Sequence, residues 1–475
     1  MTEFRRRRAP GPNLVLATVS LGVLLAPLNS TMLAVALPRL RDEFDVSAAA
    51  AAWLVSGYLI AMAVVQPVAG RLGDEIGRER VFRWALLAFL VVSLGAACSP
   101  FYGLLVLFRI LQAVFGAALM PNGMAMLRAA VPPEQFGRFA GMNSAVIGSA
   151  AAGGPLLGGL ILDLGSWRWL FVANVPVVLG ALLMARLLAP STSQAARSVR
   201  TDWIGLGVFA VLLVAVTLAL NQLRSDRLLF VWLTVGTVAL GWVFWWQQRR
   251  SKNPTAAWSL FRRRSFVGAS SHILLMNLAM YTTLLAIPFF VTDIQGRDAA
   301  AAGVLLSAMA ILQAATSPIV GRLSDVVGRR TPALAGSVLA VLAAAALVAL
   351  ISRDVPLLVL AIPVALLGLG VGLGFVSASA AAVESVPVHL SGSAAGTQSM
   401  MRYLGSIVGS GFLAGLLTLE GGGDAGITTF RLLFAVVLAF ALVSIAAAAL
   451  IRPRPDTSEV EAIALSPESV RQPAG

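Results

Sequence analysis

The chain has 475 residues, of which 58% are hydrophobic and only 12% charged, with a formal net charge of +13. Soluble globular proteins carry about 45–50% apolar and about 25% charged residues, so a string of soluble domains, a disordered chain and a collagenous scaffold are excluded. One cysteine, Cys98, and two histidines, His272 and His389, leave no material for a disulfide framework or for a cysteine- or histidine-based metal site.

What remains is an all-α polytopic membrane protein. A bilayer core of about 30 Å needs about 20 apolar residues per helix, and the chain offers fourteen such runs. In order they are 13–38, 48–70, 81–99, 101–127, 137–162, 169–189, 203–221, 228–247, 266–291, 299–321, 332–351, 356–382, 393–419 and 430–451. The run at 203–221 is the weakest, being short and closely flanked by Asp202 and Arg224. Arg5 to Arg8 before the first run imitate a signal peptide. That run is longer than an h-region of about 7–15 residues and a second span follows at once, so it reads as the first transmembrane helix.

A nucleic-acid partner would require basic residues clustered on one soluble face. Here they fall between apolar runs. With the N-terminus inside, 25 of the 35 basic residues lie in inside loops, tails and the span ends beside them and 7 in outside loops, while Arg109, Arg402 and Arg431, which lie within spans, are assigned to neither side. That asymmetry predicts a multi-pass protein of the cell membrane with both termini cytoplasmic, surrounded by membrane lipids and with no nucleic-acid partner.

The second and tenth spans end in related turns. Gly70-Arg71-Leu72-Gly73-Asp74-Glu75-Ile76-Gly77-Arg78 and Gly321-Arg322-Leu323-Ser324-Asp325-Val326-Val327-Gly328-Arg329 share the pattern Gly-Arg-Leu-x-Asp-x-x-Gly-Arg. If each follows the second helix of a six-helix half, residues 1–190 are an N-terminal six-helix bundle and 265–452 a C-terminal one. Residues 191–264 then hold two inserted helices with cytoplasmic linkers, and 453–475 a disordered cytoplasmic tail. Six-helix parallel repeats are a transporter architecture.

Further motifs accompany the turns. They are Leu107-Phe108-Arg109-Ile110-Leu111-Gln112-Ala113-Val114-Phe115-Gly116, Gly153-Gly154-Pro155-Leu156-Leu157-Gly158-Gly159, Trp167-Arg168-Trp169 with Asn174 and Pro176, and Leu28-Asn29-Ser30-Thr31. Together they resemble the fourteen-helix drug:proton antiporter branch of the major facilitator superfamily over nearly the whole chain. The resemblance implies two six-helix bundles plus two inserted helices, a gating role for the cytoplasmic turns, and an antiporter motif in the fifth span. It also implies a proton-handling centre near Arg109. Two positions depart from the family pattern: Ala113 stands where Gly is usual, and Asn29 where the favoured proton-binding Asp is usual.

The residue chemistry can be stated beside that likeness. Asp74 can pair with Arg71 or Arg78 and can face a helix N-terminus, and such a pair between bundles can form in one conformation and break in another. Glycines 70, 73 and 77 suit a tight turn. Gly154, Pro155, Gly158 and Gly159 permit close helix packing and a kink, and Gly368, Gly370, Gly372 and Gly374 give the twelfth span a similar smooth surface. Arg109 lies about 12 Å into the fourth span at ~1.5 Å per residue, with Gln112 one turn away. A charge at that depth costs at least about 2.5–3.5 kcal/mol and marks a candidate functional site. Arg402 sits about 14 Å from the cytoplasmic end of span 13. Asn29 carries no titratable proton but can hydrogen-bond cargo or Arg109. His272, about 9 Å into span 9, could substitute as proton carrier or serve in packing. Tyr58, Gln66, Asn143, Asn277, Tyr281, Gln313 and Gln398 are further polar residues able to line a cavity.

No carboxylate falls near the middle of any span. The expected function is a secondary exporter of small amphipathic molecules working by alternating access and drawing on the proton gradient, as a monomer without a cofactor. The alternative is an exporter or facilitator of neutral or anionic metabolites or lipid-like compounds, not coupled through a first-helix carboxylate. A transporter-like membrane sensor is a reading from another class. A membrane enzyme would need an intramembrane or interfacial His, Asp, Ser or Cys cluster, and the sequence contains none.

Overall fold

A computed structural model describes residues 11–131, 133–187, 202–222, 226–251, 258–386, 391–416 and 424–453. Arg5 to Arg8, His389 and residues 454–475 of the expected tail lie outside the described residues, as do the side chains of Arg71, Asp74, Arg322 and Asp325. The described chain is helical throughout, with no strand.

The first set of helices is α1 (Pro12–Val23), α2 (Leu25–Glu43), α3 (Ala48–Ile76), α4 (Arg78–Ala97), α5 (Tyr102–Ala130), α6 (Pro133–Asp163), α7 (Arg168–Val172) and α8 (Asn174–Leu187). Then come α9 (Trp203–Asn221) and α10 (Arg227–Arg250). The second set is α11 (Arg264–Phe289), α12 (Ala299–Val327), α13 (Arg330–Leu350), α14 (Leu357–Glu384), α15 (Ser391–Leu416) and α16 (Asp424–Ala449).

Two rods are interrupted, and proline explains both. Pro27 and Pro176 lack the N–H that would bond the carbonyls of Val23 and Val172, so α1 breaks from α2 at Leu24 and α7 from α8 at Ala173. With each pair counted as one rod, a helix covers every one of the fourteen apolar runs. Thirteen of these are long and apolar enough to cross a membrane. The other is α15, where Thr397, Gln398, Arg402, Ser406 and Ser410 dilute the apolar character. The weak run at 203–221 forms a regular helix, because Asp202 caps it instead of interrupting it. Its carboxylate accepts from the Gly205 amide at 2.9 Å and from Gln247 and Gln248 of α10 at 2.8 and 3.0 Å.

Packing follows the order of the chain. Helices α1–α8 pack among themselves, and so do α11–α16; α9 rests on α3 and α15, and α10 rests on α9. The outer face of α10 is left with exposed Trp232, Val238 and Trp242, the pattern of a lipid-facing helix. Contacts of α6 with α12, α3 with α15 and α2 with α11 join the two sets.

The two related turns dock alike. Gly77 and Gly328 adopt φ of 102° and 85°, values that favour glycine, and each lets the chain reverse between two long helices. After the first turn, Arg78 Nη1 donates to the Ala125 carbonyl near the end of α5 at 3.4 Å. After the second, Arg329 forms an ion pair with Glu384 at the end of α14 at 2.6 Å and donates to Ser324 Oγ at 2.5 Å. Each turn is thus fastened to the fourth rod of its own set.

Candidate functional site

A cavity of about 250 Å³ lies between the two sets. The first set contributes Ser30 and Thr31 of α2, Tyr58 and Met62 of α3, and Met120 of α5. Val23, Ala26 and Pro27 line it at the α1–α2 break, so the proline that interrupts the rod also shapes the wall. The second set contributes Asn277, Met280 and Tyr281 of α11, Met309 and Gln313 of α12, and Phe375 of α14. From α15 come Arg402, Tyr403 and Ser406. Among these described lining residues Arg402 is the one charged side chain, and no carboxylate is present.

The Arg402 guanidinium stands 5.3 Å from the Tyr403 ring centroid and 5.8 Å from that of Phe375. These ring contacts hold the cation on π-faces while its N–H donors make no hydrogen bond or ion pair among the described residues. Four methionines complete the wall with flexible, polarisable side chains that adapt to irregular apolar shapes.

Arg109 is placed differently. It is 1% exposed and sits inside the first set, behind the cavity wall. Its Nη1 donates to Gln112 Oε1 at 2.6 Å, its Nε to the Leu54 carbonyl at 3.4 Å, and the guanidinium lies 4.4 Å from the Tyr58 ring centroid. Gln112 in turn donates to Ser93 Oγ of α4 at 2.8 Å. Tyr58 therefore has Arg109 on one side and the cavity on the other, and its buried hydroxyl has no hydrogen-bond partner among the described residues.

Asn29 is 2% exposed and is not in the lining, although its neighbours Ser30 and Thr31 are. Its Nδ2 has no partner among the described residues. His272 is fully buried among α11, α13, α14 and α16, with Nδ1 3.3 Å from Ser337 Oγ and 3.5 Å from the Ser444 carbonyl. It does not line the cavity. Of the other polar residues singled out in the sequence, Tyr58, Asn277, Tyr281 and Gln313 line the cavity. Gln66, Asn143 and Gln398 do not, being directed to Met120 Sδ, Ser20 Oγ and the Ser379 carbonyl respectively. Phe375, Tyr403, Ser406 and the methionines also line the cavity and carry no sequence signal for it, because in an apolar span such residues look like ordinary packing.

The Gly154–Gly159 segment (residues 154–159) uses two faces of α6. A Cβ on Gly154 would lie 3.1 Å from the Leu28 carbonyl oxygen, and one on Gly158 2.8 Å from that of Met32, both on α2. A Cβ on Gly159 would lie 2.7 Å from Ala300 Cα of α12, and the Pro155 carbonyl lies 2.5 Å from where Gly303 would carry one. The motif thus lets one helix touch both sets at backbone distance.

The end of the cavity away from the related turns is closed. Arg41 at the end of α2 forms an ion pair with Asp293 at 2.6 Å, their side chains 17% and 15% exposed. Asp293 is presented by a π-turn, Phe290–Ile294, that extends α11 just beyond Pro288. Ser56 and Ser410 share a hydrogen bond of 2.8 Å between α3 and α15 on the same side. Toward the related turns, neither α5 nor α14 packs extensively on the opposite set among the described residues.

The sequence of this chain has relatives among known proteins. The sequence profile described as Major Facilitator Superfamily matches residues 19–261 and 269–472. The MFS-type transporter YvkA of Bacillus subtilis is 33% identical over 91% of this chain and 95% of its own. The multidrug resistance protein Stp of Mycobacterium tuberculosis is 30% identical over 85% of this chain and 75% of its own. The tetracenomycin C resistance and export protein of Streptomyces glaucescens is 27% identical over 86% and 76%. With its apolar helices, its cavity between two helix sets and a profile match over most of its length, the chain belongs to the Major Facilitator Superfamily of multi-pass membrane transporters.

Proposed function

We propose that this chain exports small amphipathic molecules by alternating access through the cavity between its two helix sets. The observation that carries the reading is the cavity itself: mostly apolar, lined from both sets, and closed at one end by the Arg41–Asp293 pair. A site shared by two bodies is exposed to alternate sides when the bodies rock about it. Relatives named for tetracenomycin C export and for multidrug resistance support a small-molecule cargo. The basic-residue asymmetry supports an orientation with the related turns facing the cytoplasm, in which cargo enters from that side and leaves past Arg41 and Asp293. The site lies in the cell membrane, and a single chain suffices for the cycle.

The proton gradient is the expected energy source. A second reading is favoured by a specific observation: no carboxylate stands among the described lining residues, and Asn29 occupies the position where one is usual. In that reading transport is not coupled through a first-helix carboxylate. Reconstitution into proteoliposomes with an imposed pH gradient and the voltage clamped distinguishes the two. Saturable flux that follows the pH gradient supports proton coupling, saturable flux indifferent to it supports the second reading, and no saturable flux contradicts both.

A further inference from the structure

Among the described residues the lining carries one formal charge, and that charge is a cation whose N–H donors make no hydrogen bond there. We propose that the cavity takes an amphipathic monoanion, its carboxylate, sulfonate or similar head on Arg402 and its apolar body against the methionine-rich wall. The proposal rests on the transport reading above and names the cargo class for that same site.

Three observations converge on it. First, a guanidinium inside a membrane protein is costly unless it is neutralised or hydrogen-bonded. Arg402 is only partly buried and is faced by the rings of Tyr403 and Phe375, which satisfy the cation but leave its N–H donors for a planar anionic head. Second, Tyr58 lines the cavity from the first set with a buried hydroxyl that has no partner among the described residues. An O–H donor complements an anion. Arg109, 4.4 Å behind the Tyr58 ring, adds a second positive charge to that side; its Nη1 is bonded to Gln112, which is bonded to Ser93, its Nη2 has no partner among the described residues, and this chain supplies no negative charge. Third, Met62, Met120, Met280 and Met309 come from four helices in both sets and offer an adaptable apolar surface. A lipophilic cation would find aromatic faces here but would bring its charge toward two arginines and no carboxylate among the described residues.

The assignment also supplies a driving force without a proton carrier. Whatever charges the protein moves during its cycle return at the end of it, so the net charge moved per turnover is that of the cargo. A monoanion leaving an inside-negative cell moves down the electrical gradient. The lack of a carboxylate among the described lining residues then leaves no task unfilled.

The test uses three probes with one aromatic body: 1-naphthaleneacetate, 1-naphthaleneacetamide and 1-naphthylmethylammonium. Their binding to the purified full chain is measured by calorimetry, and their flux by counterflow in proteoliposomes. The acetate is expected to bind about tenfold or more tightly than the amide, as a charged hydrogen-bonded pair implies, and the ammonium most weakly. R402Q is expected to bring the acetate-to-amide ratio close to one, R402K to retain part of it, and Y58F to lower acetate affinity a few-fold. Acetate flux is expected to respond to a potassium diffusion potential at equal pH on both sides. Preference for the ammonium, equal binding of all three, binding of none, or equal loss of all three in R402Q with R402K no better than R402Q would overturn the proposal. Saturable flux with cationic preference leaves export standing and removes the anion site. Selective acetate binding without flux supports the site and removes export.

Discussion

Arg109 and Gln112 illustrate how a buried charge is tolerated. The guanidinium is fully inside the first helix set, and its 2.6 Å bond to Gln112 is its shortest contact. Removing that acceptor leaves a charged donor unsatisfied, a cost of about 1.5–3 kcal/mol. Q112L should therefore lower unfolding stability in detergent by that amount, with Q112N less damaging; an unchanged unfolding midpoint for Q112L would show that Arg109 finds its support elsewhere. Asn29 invites the opposite change. Its buried amide has an unpartnered Nδ2 beside two cavity-lining neighbours. N29D is expected to introduce a titratable group there and to confer uptake of lipophilic cations that depends on an imposed pH gradient. Flux of cations equal to wild type would show that position 29 has no access to the transport path. At this scale Asn29, Arg109 and Arg402 were legible in the sequence because polar groups are rare in apolar spans. The sequence could not say that Arg402 lines the cavity, that Arg109 lies one layer behind it, and that His272 is enclosed by α11, α13, α14 and α16. A depth along a helix carries no information about which way the side chain faces.

Among the elements, α6 and the π-turn decide how the two sets meet. Gly158 lets α6 approach α2 so closely that a Cβ would fall 2.8 Å from the Met32 carbonyl oxygen and 3.1 Å from Met32 Cα. Backbone cannot yield as a flexible side chain can, so G158V should destabilise the fold by about 1–3 kcal/mol, the usual cost of overpacking. Thermal unfolding checks this, and a stability equal to wild type would contradict the packing described. The π-turn beyond Pro288 places Asp293 against Arg41. Charge reversal at either residue alone, R41D or D293R, is expected to open that end of the cavity, and the double exchange to close it again. Labelling of a cysteine placed at Ser56, buried at 1% exposure, reports the opening in a C98A background. Rapid labelling in the single variants and slow labelling in the double one is the expected pattern. The helices themselves were legible, since their length and apolar content are set by the membrane. The breaks at Leu24 and Ala173 were readable only from Pro27 and Pro176, and the pairing of Arg41 with Asp293 was not readable at all. Those two residues are 252 apart in sequence, Arg41 reading as a loop charge and Asp293 as a charge near a helix end.

Across the whole molecule, the proposed alternating access makes one device of the two related turns, each fastened to the fourth rod of its own set, and the cavity between the sets. The Gly-Arg-Leu-x-Asp-x-x-Gly-Arg repeat made the pairing of helices visible in the sequence. The contacts between the sets depend on tertiary packing that no local pattern encodes. Alternating access requires the closed end to open once per cycle, and this is the central claim. A C98A/R41C/D293C chain in proteoliposomes, bridged across the closed end with a cleavable thiol-reactive linker, tests it most directly. Saturable flux of an amphipathic probe should vanish on bridging and return on cleavage, while a C98A chain carried through the same treatment keeps its flux. Undiminished flux through the bridged chain would contradict the account.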